Sequence, residues 1–330
     1  LVENLEVYES VKRWLTKLDS KARSLDFSKS STKRAALFWL KKYCKFLETN
    51  PDYLIKARAD DLLSTSQTTK RKHEENTNAF IIQLRRDEYA PNSIAMGVGL
   101  VRSFYKANYV PLTEVSTVRP YNIRAFKVPS VKDLKKMCEN AEPQLKAWIT
   151  CQKDSGLGNM DLISLSSNNL SSEFGAIKTQ LRKGTVPIHV EVRRQKTGEK
   201  TDSFFGPNAI EALNEYMPDG AGGKIFQFSA RTVEQQVKAL GISTKVATND
   251  VPITPYALRR FFNTYMKLAG VNEALVETMM GHSIGRVRSA YLVMGQGQAT
   301  AQGGGSVGIP ISKLAEIYMD AYPTIDITKA

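Results

Sequence analysis

Residues 279–295 read MMGHSIGRVRSAYLVMG, and they include His282, one of only three histidines in a chain of 330 residues. Tyr291 stands nine positions after His282. Gly281-His282-Ser283 separates two helical patterns, so we expect one helix to end there and a second to begin, with Tyr291 about two turns into the second. This spacing predicts an imidazole and a phenol that can converge on one point.

A second stretch, ITPYALRRFFNTYM at 253–266, adds a guanidinium. Thr254 is a good N-cap and Pro255 suits the first helical position, so Tyr256 and Arg259 should share one face near a helix N-terminus that attracts phosphate. Lys196, in RRQKTGEKTD at 193–202, is predicted to lie at the tip of a β-hairpin. A long basic side chain there can reach into a cleft.

The ordered set of motifs resembles that of the tyrosine recombinase, or phage integrase, family. That family carries His, Lys or Tyr two residues before an Arg, then Gly-His, then a nucleophilic Tyr nine residues after the His. The matching pieces here are Tyr256-Ala-Leu-Arg259, Gly281-His282 and Tyr291, with Lys196 in the hairpin. Tyr256 at the first position and the ending LAEIYMDAY are similar to archaeal virus and plasmid integrases.

The resemblance implies a reaction and a role for each residue. Tyr291 would attack a phosphodiester to give a 3′-phosphotyrosyl link and a free 5′-hydroxyl, which keeps the bond energy for rejoining and requires neither metal nor cofactor. Arg259 would bind the non-bridging oxygens. His282 and Tyr256 would hydrogen-bond the phosphate or assist proton transfer, and Lys196 would protonate the leaving oxygen.

One position departs from the family. Its first catalytic arginine lies in a Thr/Ser-Gly-Leu-Arg stretch, whereas this chain reads SGLGNMDL at 155–162, with Gly158 at that position and Asp161 expected only to orient neighbours. Gly158 is a natural variant that borrows charge elsewhere, an inactivating substitution, or the sign of a degenerate family member. The candidate replacements for the missing charge are Arg182, Arg193, Arg194, Arg286 and Arg288.

Charge and composition point to a nucleic-acid partner. Forty-six Lys and Arg against 33 Asp and Glu give a net charge of +13, and residues 1–125 hold 22 of the former against 14 of the latter. Three histidines without metal-ligand spacing argue against a metal site, and three cysteines without a CxxC pair predict buried, reduced thiols. The predicted DNA-binding residues are Lys70, Arg71, Lys72, Arg85, Arg86, Arg102, Lys106, Arg260, Arg286 and Arg288.

Apolar residues at three-to-four spacing predict helices at 7–20, 33–50, 70–89 and 92–110, and the segment 174–206 is predicted to have alternating β character. We therefore expect a mainly α protein with a small antiparallel β-sheet in its C-terminal domain. We expect a helical DNA-binding domain at 1–124 with a linker from about 111, and a catalytic domain at 125–294. A Gly- and Gln-rich tether and a short amphipathic helix follow at 295–330. Such a helix can pack on its own domain or on a neighbour's, and the resemblance implies docking on a neighbouring protomer and a two-domain C-shaped DNA clamp.

The predicted function is therefore site-specific recombination of double-stranded DNA, as a tetramer on two duplexes. Two alternatives stay open: a DNA-binding protein of the same fold without activity, and a type IB topoisomerase. With no apolar run long enough to span a bilayer and no signal peptide, we expect a cytoplasmic, nucleoid-associated protein rather than a membrane protein.

Overall fold

A computed structural model describes residues 4–22, 27–28, 30–121, 127–171, 174–194, 198, 200–217, 223–282 and 309–329. Contacts divide the chain into two compact units, Leu1–Arg124 and Ala125–Ala330. Each unit has a separate hydrophobic core.

The elements described in the first unit are all helices. Four of them each contribute an aromatic side chain to the core, and Trp14, Tyr43, Phe80 and Phe104 are fully buried. Trp14 and Phe104 meet edge to face, with ring centroids 5.4 Å apart. The helices are α1 (Glu9–Asp19), α2 (Ser31–Phe46), α3 (Pro51–Leu62), α4 (Gln67–Arg86) and α5 (Pro91–Ala107).

No apolar periodicity marks helix α3 in the sequence, because a charged residue stands on its buried face. Arg58 is only 2% exposed, and its Nη2 lies 2.5 Å from Oε1 of Glu74 on α4. A buried ion pair of this kind satisfies both charges but removes the apolar signal from the sequence. The capping signal was present, since Asn50 accepts from the backbone of Tyr53 and Pro51 begins the helix.

The second unit is also mainly helical, as predicted, with two short antiparallel ladders. Strands β1 (Leu170–Ser171) and β2 (Gly175–Ala176) form one ladder, and β3 (Ile188–Arg193) pairs with β4 (Lys200–Phe205) in the other. The helices are α6 (Val131–Glu139), α7 (Pro143–Ser155), α8 (Asn159–Ile163), α9 (Ile177–Arg182), α10 (Pro207–Tyr216), α11 (Ala230–Ser243), α12 (Pro255–Leu268), α13 (Glu273–Met279) and α14 (Ile311–Ala321).

The stretch that becomes α9 was predicted to have β character, and this was wrong. Its alternation of apolar and polar residues is too short to separate a strand from one and a half helical turns. The buried positions are Ile177, Gln180 and Leu181, a helical spacing of three and four. Gln180 bonds to both backbone groups of His189, so that α9 covers the end of β3.

Helix α7 is the centre of the second core. Consecutive residues from Ala147 to Ser155 are buried, because α10, α12 and β4 pack around it. Its Cys151 is buried together with Cys138 of α6, and Cys44 is buried in the first unit. All three cysteines are free thiols, as the sequence predicts.

The last helix packs on its own unit in this chain. Tyr318 of α14 and Tyr322 just after it are buried. Both side chains lie directly against Gly206, where an added Cβ would be 2.1 Å from the ring of Tyr322. A fully buried network also reaches this segment: Lys153 Nζ bonds to Asp154 at 2.5 Å and to the carbonyl of Ile325 at 2.9 Å. Docking of this helix on a second protomer stays a prediction.

None of the helices in the described part of the chain is both long and apolar enough to cross a membrane.

Candidate functional site

The site begins where α7 ends. Gly156 follows Ser155 in the left-handed conformation, with φ +59°, and an added Cβ there would lie 2.4 Å from the ring of Phe262. Only glycine combines that backbone angle with so close an approach. The turn directs the carbonyl of Gly156 toward α12, where it accepts a hydrogen bond from Arg259 at 2.5 Å.

Arg259 lies one turn into α12, and the N-cap predicted for this helix is confirmed, since Thr254 accepts from the backbone of Ala257. Arg259 is 6% exposed, and its Nη2 donates to the carbonyl of Met280 at 2.7 Å. Burial, first of all, and the positive charge of Arg194 lower the pKa of Arg259 to about 10, against the opposing effect of Asp161 and Glu277. The side chain therefore stays charged at neutral pH.

His282 is brought to Arg259, as the motif spacing predicts. Its Nε2 lies 2.7 Å from Nη2 of Arg259, and its Nδ1 makes a short contact with the carboxylate of Glu277. Because a guanidinium can only donate, Nε2 must accept, and the proton must be on Nδ1, facing Glu277. The imidazole is 44% exposed and thus open to a ligand.

Glu277 is a functional residue that the sequence analysis did not single out. Partial burial opposes ionisation of this carboxyl, yet hydrogen bonds from His282, Lys267 and Asn263 outweigh burial and lower its pKa to about 2. Its position five residues before His282, in the last turns of α13, was the only sequence signal. Glu277 orients the imidazole rather than facing the open side of the site.

The space in front of Gly158 is filled by the carboxylate of Asp161 and bordered by Arg194. Nε of Arg194 lies 3.3 Å from Oδ2 of Asp161, and Nη1 donates to the carbonyl of Gly281. Gly281 has φ +70°, and a Cβ there would lie 2.6 Å from Cδ of Arg194, so the arginine crosses directly over this glycine. Of the candidate replacements among the described residues, Arg194 is the one whose contacts place it beside Arg259.

Tyr256 lies at the edge of this group. It is 62% exposed, and the guanidinium carbon of Arg260 stands 4.8 Å from the centre of its ring. Tyr256 precedes Arg259 by three residues in α12, so the two side chains share one helix face. The proposed roles of Tyr256 and Arg260 stay predictions.

Four predicted site residues lie outside the described part of the chain: Tyr291, Lys196, Arg286 and Arg288.

The other predicted DNA-binding residues belong to α4 and α5 of the first unit. Two of these side chains, Arg102 and Lys106, stand one turn apart on α5, and both are exposed. Arg71 pairs with Glu114. A cleft of about 600 Å³ within this unit is lined by Arg85, Arg119 and two tyrosines, Tyr89 and Tyr121. Also exposed are Arg71, Lys72, Arg85 and Arg86, while Lys70 is half-buried.

The two remaining histidines are part of the internal packing. His73 is 3% exposed and bonds to the hydroxyl of Tyr105 at 2.9 Å. His189 lies between Ser171, at 2.6 Å, and Asp202, at 3.0 Å. Serine, histidine and aspartate thus follow one another as in the catalytic triad of a hydrolase. However, Ser171 is only 5% exposed, and its oxygen already accepts a hydrogen bond from the backbone of Phe174. This cluster joins β1 to β3 and β4.

No protein-family model matches this chain, and no characterised protein sequence matches it. Solved structures do match. A lambda integrase fragment, residues 75–356, in a dimer bound to a COC′ core site, is 12% identical and superposes with a TM-score of 0.61 over 89% of this chain and 98% of that chain. XerH site-specific recombinase bound to its difH substrate is 11% identical, with a TM-score of 0.54 over 87% and 95%.

Both superpositions cover the two units and nearly the whole of the other chain. At such low identity these superpositions establish the fold alone, and any inference about the reaction must come from the residues of the site. The chain therefore has the fold of the tyrosine recombinases, which is the fold that the resemblance in its sequence predicted.

Proposed function

We propose that this chain is a site-specific DNA recombinase that cleaves and rejoins DNA strands through a covalent bond from Tyr291 to a 3′-phosphate. The observation that carries the proposal is the contact between Arg259 and His282, which are 23 residues apart and meet at 2.7 Å. Both belong to the motifs that the sequence shares with this family, and the fold is the one in which such motifs act together.

In the proposed step the phenolic oxygen of Tyr291 attacks phosphorus, and the bond from phosphorus to the 5′-oxygen breaks. The ammonium of Lys196 transfers a proton to that oxygen. Arg259 binds the non-bridging oxygens, where charge builds up as the fifth bond forms. Rejoining reverses the same transfers with the 5′-hydroxyl of a second strand, so that no external energy source is consumed.

The tautomer of His282 suits one of these transfers. With its proton on Nδ1, held by Glu277, the imidazole presents an unprotonated Nε2 toward the site. Once Arg259 turns its N–H from Nε2 to the phosphate, that nitrogen can take the phenolic proton of Tyr291 and return it on rejoining. Tyr256, at the rim, would add a hydrogen bond to the phosphate.

For the partner we propose double-stranded DNA at a specific site, contacted by both units and bound by four copies of the chain on two duplexes. The exposed basic side chains of α4 and α5 would contact the phosphate backbone and position the protein. A protein with this partner would be found with the nucleoid in the cytoplasm.

One observation favours a second candidate, a DNA-binding protein without cleavage activity. Gly158 supplies no guanidinium at a position where the family carries an arginine. Loss of one such charge-stabilising donor typically lowers a rate by about 10²–10³-fold. DNA binding would survive that loss, because it depends on many phosphate contacts.

The test is a denaturing-gel assay for a covalent protein–DNA adduct on nicked suicide duplexes from a library of candidate sites. We expect an adduct with the chain as it stands and none with Tyr291→Phe, which keeps the ring and removes only the nucleophile. DNA binding by both chains is measured in parallel by gel shift.

An adduct that persists in Tyr291→Phe contradicts the assigned nucleophile. If neither chain forms an adduct while both bind DNA equally well, the second candidate replaces the first.

A further inference from the structure

The backbone conformation at position 158 does not require glycine. It has φ −67° and ψ 150°, an extended conformation that any residue adopts, and it serves as the N-cap of α8. What distinguishes the position is space. An added Cβ would lie 2.8 Å from Oδ2 of Asp161 and 3.8 Å from Nη2 of Arg194, so the volume that a side chain at 158 would enter is already taken.

The carboxylate of Asp161 fills this volume, and Arg194, which borders it, is held from two sides. Asp161, 6% exposed at its side chain, accepts from Nε of Arg194, and the carbonyl of Gly281 accepts from Nη1. The side chain of Arg194 is 15% exposed. Among the described residues these contacts engage only part of its N–H fork, and the remaining donors can bind an oxyanion.

Arg194 and Arg259 are fixed to the same turn. Arg259 donates to the carbonyl of Met280, and Arg194 donates to that of Gly281, the next residue. His282 follows immediately and bonds to Arg259. The two guanidinium groups repel each other, since the charge of Arg194 lowers the pKa of Arg259, and Asp161 and Glu277 offset this only in part. A phosphate is the anion whose geometry a pair of such forks fits.

We propose that Arg194, the residue that follows β3, is a catalytic residue that supplies the guanidinium missing at position 158, and that with Arg259 it binds the non-bridging oxygens of the scissile phosphate. Glycine at 158 leaves room for the Arg194–Asp161 pair. This inference rests on the proposed function, because it assigns a role in the same reaction. It favours the first of the three interpretations of Gly158, charge borrowed from elsewhere in the chain.

The experiment measures the single-turnover rate of adduct formation on a suicide duplex for the unaltered chain and five variants. These are Arg194→Ala, Arg194→Lys, Gly158→Arg, Gly158→Arg/Arg194→Ala, and Arg193→Ala as the matched control. Arg193 is the preceding residue, carries the same charge and is exposed at the end of β3.

We expect Arg194→Ala to lower the rate by about 10²–10³-fold, as for loss of a transition-state donor. Arg194→Lys should stay at least about 10-fold slow, because an ammonium lacks the planar fork. Returning an arginine at 158 in the double variant should raise the rate at least about 10-fold above that of Arg194→Ala, and a misfolded protein could not be rescued in this way. Arg193→Ala should match the unaltered chain.

The proposal is overturned if Arg194→Ala retains the full rate, if Arg193→Ala is slowed equally, or if only Gly158→Arg with Arg194 intact forms an adduct. A second measurement decides the case in which the unaltered chain forms no adduct, which contradicts the proposed function itself. A phosphate contact from Arg194 adds to the salt dependence of DNA binding, so Arg194→Ala should lower the slope of log K against log salt by about 0.9. An unchanged slope overturns the role of Arg194 independently of any chemistry.

Discussion

Among the single side chains of the site, Glu277 controls how His282 is held. Its carboxyl has a folded pKa of about 2, against an ordinary value of 4.5. A lowered pKa means that the ionised group stabilises the folded chain. That stabilisation is complete above about pH 4.5 and is lost as the pH falls from there toward 2.

We expect this contribution to be on the order of 1 kcal/mol after allowing for screening by solvent. Urea unfolding of the unaltered chain and of Glu277→Gln measures it. The difference in free energy of unfolding should be largest at pH 7 and should shrink at pH 3. Glu273→Gln, which also removes a partner of Lys267 but does not contact His282, is the control. An equal pH dependence in both variants contradicts the assignment.

The candidate site was predictable from sequence only where short motifs carry the information. Thr254, Pro255 and Arg259 follow from helix capping and from the family motif, and so does the neighbouring position of His282. The position of Arg194 does not follow, because its bond to Gly281 joins residues 87 positions apart. No local pattern encodes a contact that depends on how β3 and α13 pack.

Among the helices and strands, Gly206 is the position at which the C-terminal segment is most sensitive to added volume. Its φ of −87° is ordinary, so the cost of a side chain there is steric. The Cβ of alanine would lie 2.1 Å from the ring of Tyr322 and 2.8 Å from the hydroxyl of Tyr318. Both rings must move.

We therefore expect Gly206→Ala to lower the free energy of unfolding by about 1–3 kcal/mol, the usual cost of overpacking. It should also speed proteolysis within 311–329. Gly99→Ala is the matched control, since a Cβ at Gly99 meets nothing within 4 Å and alanine favours a helix by about 1 kcal/mol over glycine. If the two variants are equally stable, the C-terminal segment does not depend on this contact.

The elements themselves were predicted where apolar residues repeat at helical spacing, as in α2, α4 and α5. Prediction failed where a buried polar pair replaces an apolar contact, as Arg58 does in α3. It also failed at α9, which is too short for its period to be read. The failure at α3 arises because burial depends on the partner element as well as on the segment, and the failure at α9 because six residues are too few to show a period.

For the chain as a whole, the net charge of +13 predicts DNA binding that weakens steeply with salt. If Arg85 and Arg86 at the end of α4 contact phosphates, Arg85→Ala/Arg86→Ala should lower the slope of log K against log salt by about 1.8, or 0.9 for each contact. Lys12→Ala is the control, because Lys12 pairs with Glu9 on α1. Fluorescence anisotropy between about 50 and 200 mM salt measures the slopes. Binding that is flat over this range contradicts a phosphate interface.

The three cysteines allow the unfolding of each unit to be followed separately with a thiol reagent. Burial raises the pKa of both Cys44 and Cys138 to about 12 and raises that of Cys151 as well, so none is a thiolate at neutral pH. A maleimide pulse should therefore leave the native chain unlabelled. Cys44 reports opening of the first unit, and Cys138 and Cys151 report opening of the second. Mass spectrometry of labelled peptides can thus follow the order in which the two halves unfold, and can reveal which half DNA protects, without any engineered probe.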